Sequence, residues 1–462
     1  MVSTHNGVCW LVSLIALVAG LWWWSYPPDV PFLMPDSGSY LRFDSTRGTG
    51  YPLLLDLMQS VSGKDSWIKA VQLGFMLVAF SWFSLEAARF FEARWIALPI
   101  QIALVFNPLL MRFAFTVLTE AFFIFFLAIW LIACLRMQKS GGRGWAILAA
   151  FSFAWMWLIK SLALVWLPAM VLVLFWIAKK EGWRKAAWDI LLFALVVSLV
   201  QGAGAMYRHS HVNNREKVSF MGSQLFGKMA FIPIETETTD YPESVSRLNE
   251  LMAEVRDIRN SLPDYRQRFI FSENFYDYIR FQHSDDILAE FNGNEVDKEM
   301  ELSWSEIWSN SGAYLDEVVM TMVAMWSMGE LQTHQFASKY NQLLDKMSNR
   351  LPADVELYRP SGRSIAVVIA VKGFMLTAFL ISIWAFIYFL PGGRVDKTSA
   401  QREMVFALLV MSVAAYAYVV GVSLFQTALI RYELGMWPIL LLLVFGGLAV
   451  VGRSLFPGSS RV

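Results

Sequence analysis

The sequence predicts an all-α polytopic membrane protein, and three observations carry that prediction. Of its 462 residues 56% are hydrophobic, 15% are aromatic and only 16% are charged, with a positive mean hydropathy; soluble domains are less apolar and richer in charge. The apolar residues gather into runs of about 20, the length that crosses roughly 30 Å of hydrocarbon. Between these runs, Lys and Arg recur in alternate short loops.

The runs lie near 8–26, 67–88, 94–108, 112–135, 144–160, 162–178, 187–206, 365–390, 404–425 and 429–451, a bundle of about ten helices. Those at 94–108 and 144–160 are short, which points to tilted, re-entrant or fused segments. The first run has no basic leader and ends in Trp22-Trp23-Trp24 and Tyr26-Pro27-Pro28, so it reads as a retained span with indoles at the headgroups, and not as a cleaved signal peptide.

Arg89 and Arg94, then Arg136, Lys139 and Arg143, then Lys179, Lys180, Arg184 and Lys185, then Arg394, Lys397 and Arg402, and finally Arg453 and Arg461 occupy alternate loops. The positive-inside rule makes these cytoplasmic and places the 27–66 loop and the polar 207–363 region outside an inner, or plasma, membrane. The semi-apolar run 313–328 contains Asp316 and Glu317. Counting it as a span would carry the basic 394–402 loop outside, so it reads as an interfacial or packed helix. The organisation is thus an N-terminal membrane module (1–206), a mostly helical outer region (207–363) and C-terminal membrane helices (364–462).

Within the outer region Val245, Leu248, Leu251, Met252 and Val255 recur at helix spacing. Pro263, Pro352, Pro360 and Asn292-Gly293-Asn294 punctuate it. Its aromatic run from Phe269 to Phe281 fits core or surface packing better than a sugar platform. Zero net formal charge gives no reason to expect nucleic acid. The two cysteines, Cys9 and Cys134, fall inside spans, and neither a disulfide framework nor a metal knuckle is readable. His209 and His211 read as solvated, so no metal is assigned; a divalent-cation requirement stays open.

The first outer loop carries the most distinctive chemistry: Pro35-Asp36-Ser37-Gly38-Ser39-Tyr40, then Arg47-Gly48-Thr49-Gly50-Tyr51-Pro52. Asp36 has two equal readings, a general base for an acceptor hydroxyl or the cap of the following helix. Arg47 among glycines suits a compact anion-binding turn, where backbone N–H groups approach a phosphate and an arginine forks onto it; a surface arginine in a turn is the plainer reading. Glu120, at the outer end of an apolar span, is costly unless it faces protein or water, and reads as a functional group or as a structural hydrogen bond to a neighbouring helix; Lys160, at the outer junction of two spans, has a functional reading beside plain snorkelling. Arg431-Tyr432, ahead of Pro438, would bring another cation to the same face.

In their order, Asp36-Ser37 to Tyr40, Arg47 to Tyr51-Pro52 with Leu53-Leu54-Leu55, Asn107-Pro108 leading to Thr119-Glu120, and Arg431-Tyr432 with Pro438 resemble the GT-C superfamily of polyprenyl-phosphate-sugar-dependent glycosyltransferases, the group containing protein O-mannosyltransferases and lipid A aminoarabinose transferases. The resemblance implies a GT-C-like bundle with Asp36 as catalytic base in the first outer loop. A second acidic residue is common there, and Asp44 is the nearest candidate, ahead of Asp29. It implies a polyprenyl-phosphate-linked sugar as donor, its phosphate held by groups such as Arg47, Lys160 or Arg431, with Tyr51, Glu120 and Tyr432 completing the substrate site. Transfer would go with inversion to an extracytoplasmic glycolipid, polysaccharide or protein. Lys160 departs from the arginine common in relatives, and the 207–363 region matches no pattern of the family. Two other classes handle lipid-linked glycans. A flippase or transporter should show repeated halves, and none is evident; a polymerase or ligase would present its basic residues in a late loop, whereas here the informative loop comes first.

Overall fold

The computed structural model describes residues 2–25, 32–34, 36–44, 47–62, 66–211, 221–237, 239–289, 295–327, 331–352, 359–389, 399–425 and 435–455. Among them all regular structure is helical, apart from isolated parallel bridges between Phe32 and Thr116 and between Thr333 and Arg363. Among the described residues, seven helices contain a segment long and apolar enough to cross a bilayer: Gly7–Trp24, Trp67–Phe90, Glu120–Ser140, Ser161–Glu181, Trp183–His211, Ile365–Phe389 and Ala400–Phe425. The protein is a multi-pass membrane protein.

The difference from about ten spans has local causes. The runs expected at 94–108 and 112–135 divide differently: Arg94–Val105 and Pro108–Phe115 form a pair bent by 53°, and the next long helix starts only at Glu120. Pro108 has no N–H to continue the first helix, and the Asn107 side chain caps the second by accepting from the amides of Leu109 (3.0 Å) and Leu110 (3.2 Å). Arg143–Ile159 and Trp437–Arg453 are apolar but shorter than a full crossing. The 313–328 run forms the helix Ser311–Ser327, which buries Tyr314, Glu317, Val318 and Thr321 and lies outside the set of spans, in line with a packed helix.

The chain divides into two compact units, one made of 1–217, 377–418 and 434–462, the other of 218–376 and 419–433. In the first, Glu120–Ser140 is the central helix, buried along nearly its whole length. Trp166 stacks on Phe123, Trp130 and Tyr418 with ring centroids 5.4, 6.0 and 5.4 Å apart. By contrast Leu191, Leu195 and Leu199 on Trp183–His211 are exposed, as expected of side chains whose solvent is lipid. Basic residues from the alternate loops meet at one end of this unit. Glu86 accepts from Arg89 (2.6 Å) and Arg136 (2.7 Å), Lys180 pairs with Glu403 (2.9 Å) and Arg453 with Glu92 (2.9 Å). Arg136 and Glu120 stand at opposite ends of one helix, so this cluster lies a helix length away from Glu120.

In the second unit, Pro242–Ser261 buries Val245, Leu248, Met252, Val255 and Ile258, the face its spacing predicts except for Leu251, which is only half-buried. Phe269, Phe271, Phe275 and Tyr278 are buried as well, which makes these four aromatics of the run packing residues. Asp264 caps Tyr265–Gln282 by accepting from the Arg266 amide at 2.8 Å. The Arg266 side chain also holds its carboxyl below the usual carboxylate range. A depressed folded value means that this support is complete above the unfolded pKa of about 3.9 and is lost as pH falls through the folded value. Asp264→Asn should therefore lose less melting temperature than the unaltered protein between about pH 5 and about pH 3, as read by circular dichroism; equal losses would remove Asp264 from the acid response.

Candidate functional site

The stretch between the first span and Tyr51 is held by a short backbone pairing. The Phe32 amide donates to the Phe115 carbonyl (2.6 Å) and the Val117 amide to the Phe32 carbonyl (3.1 Å). Ser37 extends it, accepting from the Met34 amide and donating to the Val117 carbonyl, each at 2.8 Å. The serine beside Asp36 is thus spent on anchoring the loop to the bent helix pair.

Asp36 precedes the short helix Ser37–Leu41, yet its side chain makes no cap hydrogen bond. Its carboxylate pairs instead with the Arg47 guanidinium at 2.7 Å, with side chains 32% and 18% exposed. Of the two readings of Asp36, the helix cap is the one the geometry removes. Arg47 is held from three sides: Nε donates to Ser39 Oγ at 2.6 Å, and the guanidinium lies 4.7 Å from the Tyr40 ring centroid and 3.5 Å from its hydroxyl. A cation–π contact adds to the ion pair and fixes the plane of the fork.

The glycines of the Arg47-Gly48-Thr49-Gly50 turn serve a purpose different from the one expected. A Cβ on Gly48 would lie 2.5 Å from the carbonyl oxygens of Leu158 and Ile159, and one on Gly50 would lie 2.9 Å from Leu158 Cβ. They allow the turn to press on the end of Arg143–Ile159, directly beside Lys160. Gly48→Ala should cost about 1–3 kcal/mol, the scale of overpacking against atoms that cannot yield; an unchanged melting temperature would contradict this packing.

Lys160, extended at the end of that helix, donates to Glu120 Oε1 at 2.8 Å, while Thr119 Oγ1 donates to Oε2 at 3.2 Å. Glu120 is buried, and the pairing satisfies its charge. Tyr40 joins the two ion pairs electrostatically: burial raises its hydroxyl pKa, Lys160 and Arg47 oppose that rise, and Glu120 and Asp36 add to it. Asp36, Arg47, Glu120 and Lys160 are therefore brought together as two neutralised pairs around one tyrosine.

Other expected residues fall elsewhere. Tyr51 is fully buried, its hydroxyl donates to Gln72 Oε1 at 3.2 Å and its ring meets Tyr40 edge-on at 5.4 Å; it is a wall behind the cluster, with no surface for a substrate. The Asp44 carboxylate faces Arg42 at 3.7 Å, both side chains being well exposed, and takes no part in the Asp36–Arg47 pair. Arg431 and Tyr432 lie outside the described residues.

Sequence reasoning passed over Arg208 in favour of its neighbours His209 and His211. Arg208 donates to the Arg47 carbonyl and, at 3.2 Å, to Thr49 Oγ1, and its guanidinium sits 5.2 Å from the Phe43 ring. A basic residue in the last turn of a span, level with the expected outer loop, was the available signal. Among the described residues no three or more His, Cys, Asp or Glu side chains are grouped to hold a metal ion.

Beside the Phe32–Met34 wall opens a cavity of about 830 Å³, lined mainly by aromatic and aliphatic side chains from Trp22 to Phe115 with Arg112 among them. Searches of family models, curated proteins and solved structures give no match.

Proposed function

We propose that the protein is a membrane glycosyltransferase of GT-C type that moves a sugar from a polyprenyl-phosphate donor to a hydroxyl acceptor, with Asp36 as general base. The observation that supports this reading is the clustering of Asp36–Arg47 and Glu120–Lys160 around Tyr40. It lies at the end of the helix bundle opposite to the basic cluster of Arg89, Arg136 and Lys180, which under the positive-inside rule supports an extracytoplasmic side.

The pairing suggests how the base is released. While Arg47 holds Asp36, the carboxylate is occupied; the donor's phosphodiester, which offers two oxygens to the guanidinium fork, competes for it and frees Asp36 for the acceptor. The acceptor oxygen then attacks the anomeric carbon, its proton passes to Asp36, and the bond from that carbon to the phosphate oxygen breaks with the electron pair leaving on polyprenyl phosphate. Arg47 and Lys160 stabilise that developing charge, and attack opposite the leaving group inverts the anomeric centre.

The direct test is to incubate the purified full-length protein with radiolabelled polyprenyl-phosphate sugars and membrane extract. Label should move to a second species with stoichiometric release of polyprenyl phosphate. Vesicle translocation of the intact donor without bond cleavage would replace this reading with a flippase.

A further inference from the structure

The cavity beside Phe32–Met34 combines two features that point to an amphiphile. Its lining is apolar, including Trp22, Phe32, Leu33, Met34 and Phe115, and it contains one cationic side chain, Arg112. Among the described residues the Arg112 guanidinium is in no ion pair. It is also absent from the charges that act on Tyr40, which are Lys160, Arg47, Glu120 and Asp36. Arg112 is therefore a second anion locus, separate from the two paired cations of the candidate site.

We propose that this cavity seats one anionic phospholipid of the surrounding bilayer, with its phosphate on Arg112 and the glycerol-proximal part of its chains against the aromatic lining. Charge complementarity selects the head, since a guanidinium in an apolar wall is best satisfied by a phosphate. Position selects the bilayer as source: the cavity opens at the end of the first span, where Trp22 and Trp24 are exposed at the level that indoles favour. The volume of about 830 Å³ falls within the range of ligand cavities.

The site has a structural consequence. Met34 lines the cavity and its amide bonds to Ser37 Oγ, which in turn bonds to the Val117 carbonyl. A lipid packed against Met34 supports the backbone pairing of Phe32 ahead of Asp36, so binding steadies the loop carrying the candidate base. The lipid site does not depend on sugar transfer, and its test reads binding alone.

The experiment takes the delipidated full-length protein and titrates it with phosphatidylglycerol, phosphatidylcholine or undecaprenyl phosphate in mixed micelles, counting bound lipid by native mass spectrometry and following the melting temperature. Phosphatidylglycerol should bind one per chain and raise the melting temperature, with zwitterionic phosphatidylcholine weaker. R112Q should bind about tenfold more weakly, the scale of one charge-assisted contact; R112K should recover part of the loss, and R184Q should bind as tightly as the unaltered protein. Met34→Trp, which fills the cavity and leaves Arg112 in place, should weaken binding as well and guards against misfolding of R112Q. Equal affinity of R112Q and the unaltered protein, or saturable binding of undecaprenyl phosphate alone, would overturn the proposal.

Discussion

Asp36→Asn should lower sugar transfer by roughly 10²–10⁴-fold, the usual contribution of a positioned general base, with little change in fold. Asparagine preserves the size of the side chain and an oxygen that can accept from Arg47, but it cannot take the acceptor's proton. Arg47 keeps its contacts with Ser39 and Tyr40. The lost ion pair is partly solvated, with side chains 32% and 18% exposed, and pairs of that kind contribute at most about 1 kcal/mol. Initial rates at saturating donor, alongside a melting curve, separate the two effects. Full turnover by the variant would move the base to another group and leave Asp36 as an anchor for Arg47.

The second large effect belongs to the other unit and concerns stability. Arg259 donates from Nη2 to both oxygens of Glu317, at 2.6 and 2.7 Å, with side chains only 8% and 11% exposed. Phe231 lies 5.0 Å below the guanidinium, and the neighbouring Arg256 is pushed down to about 10 by burial and by Arg259. Glu317→Ala would leave the Arg259 guanidinium in a dry environment without its carboxylate. The expected cost is about 3–5 kcal/mol, typical of breaking a buried pair from one side. Removing both charges, as Arg259→Met with Glu317→Leu, should restore much of it, since the residual penalty is then repacking alone. Chemical denaturation of the two variants compares them; a single variant as stable as the unaltered protein would mean that water reaches Arg259.

Legibility followed the range of the interactions. The face of Pro242–Ser261 was readable because helix periodicity is written within one turn, and so was the packing role of Phe269, Phe271 and Phe275. The ends of the apolar runs were less so: whether 94–115 is one crossing or a bent pair depends on Asn107 capping a helix that starts at Pro108, a choice that run length does not encode. In the first outer loop the residue types were visible but their partners were not. Asp36 had a cap and a base open to it, and an arginine eleven residues away decided against the cap.

The glycines of the Arg47–Gly50 turn make the same point. Their spacing matched an anion-binding turn, whereas the structure brings them into close approach to Leu158 and Ile159, more than a hundred positions along the chain. Arg208 was passed over because nothing in its own neighbourhood reports that it reaches the Arg47 carbonyl.

The sequence by itself determined that this is a helical, multi-pass membrane protein, because hydrophobic length and the cost of unsatisfied backbone groups in lipid leave few other solutions. It also determined that charged residues among the spans would need partners. Only the tertiary structure decided which partners those are: Asp36 with Arg47, Glu120 with Lys160, both pairs about Tyr40, and Arg112 apart from them in an apolar cavity. A charge's cost in a membrane is a property of one residue, whereas its compensation depends on which helix ends the packed bundle brings together.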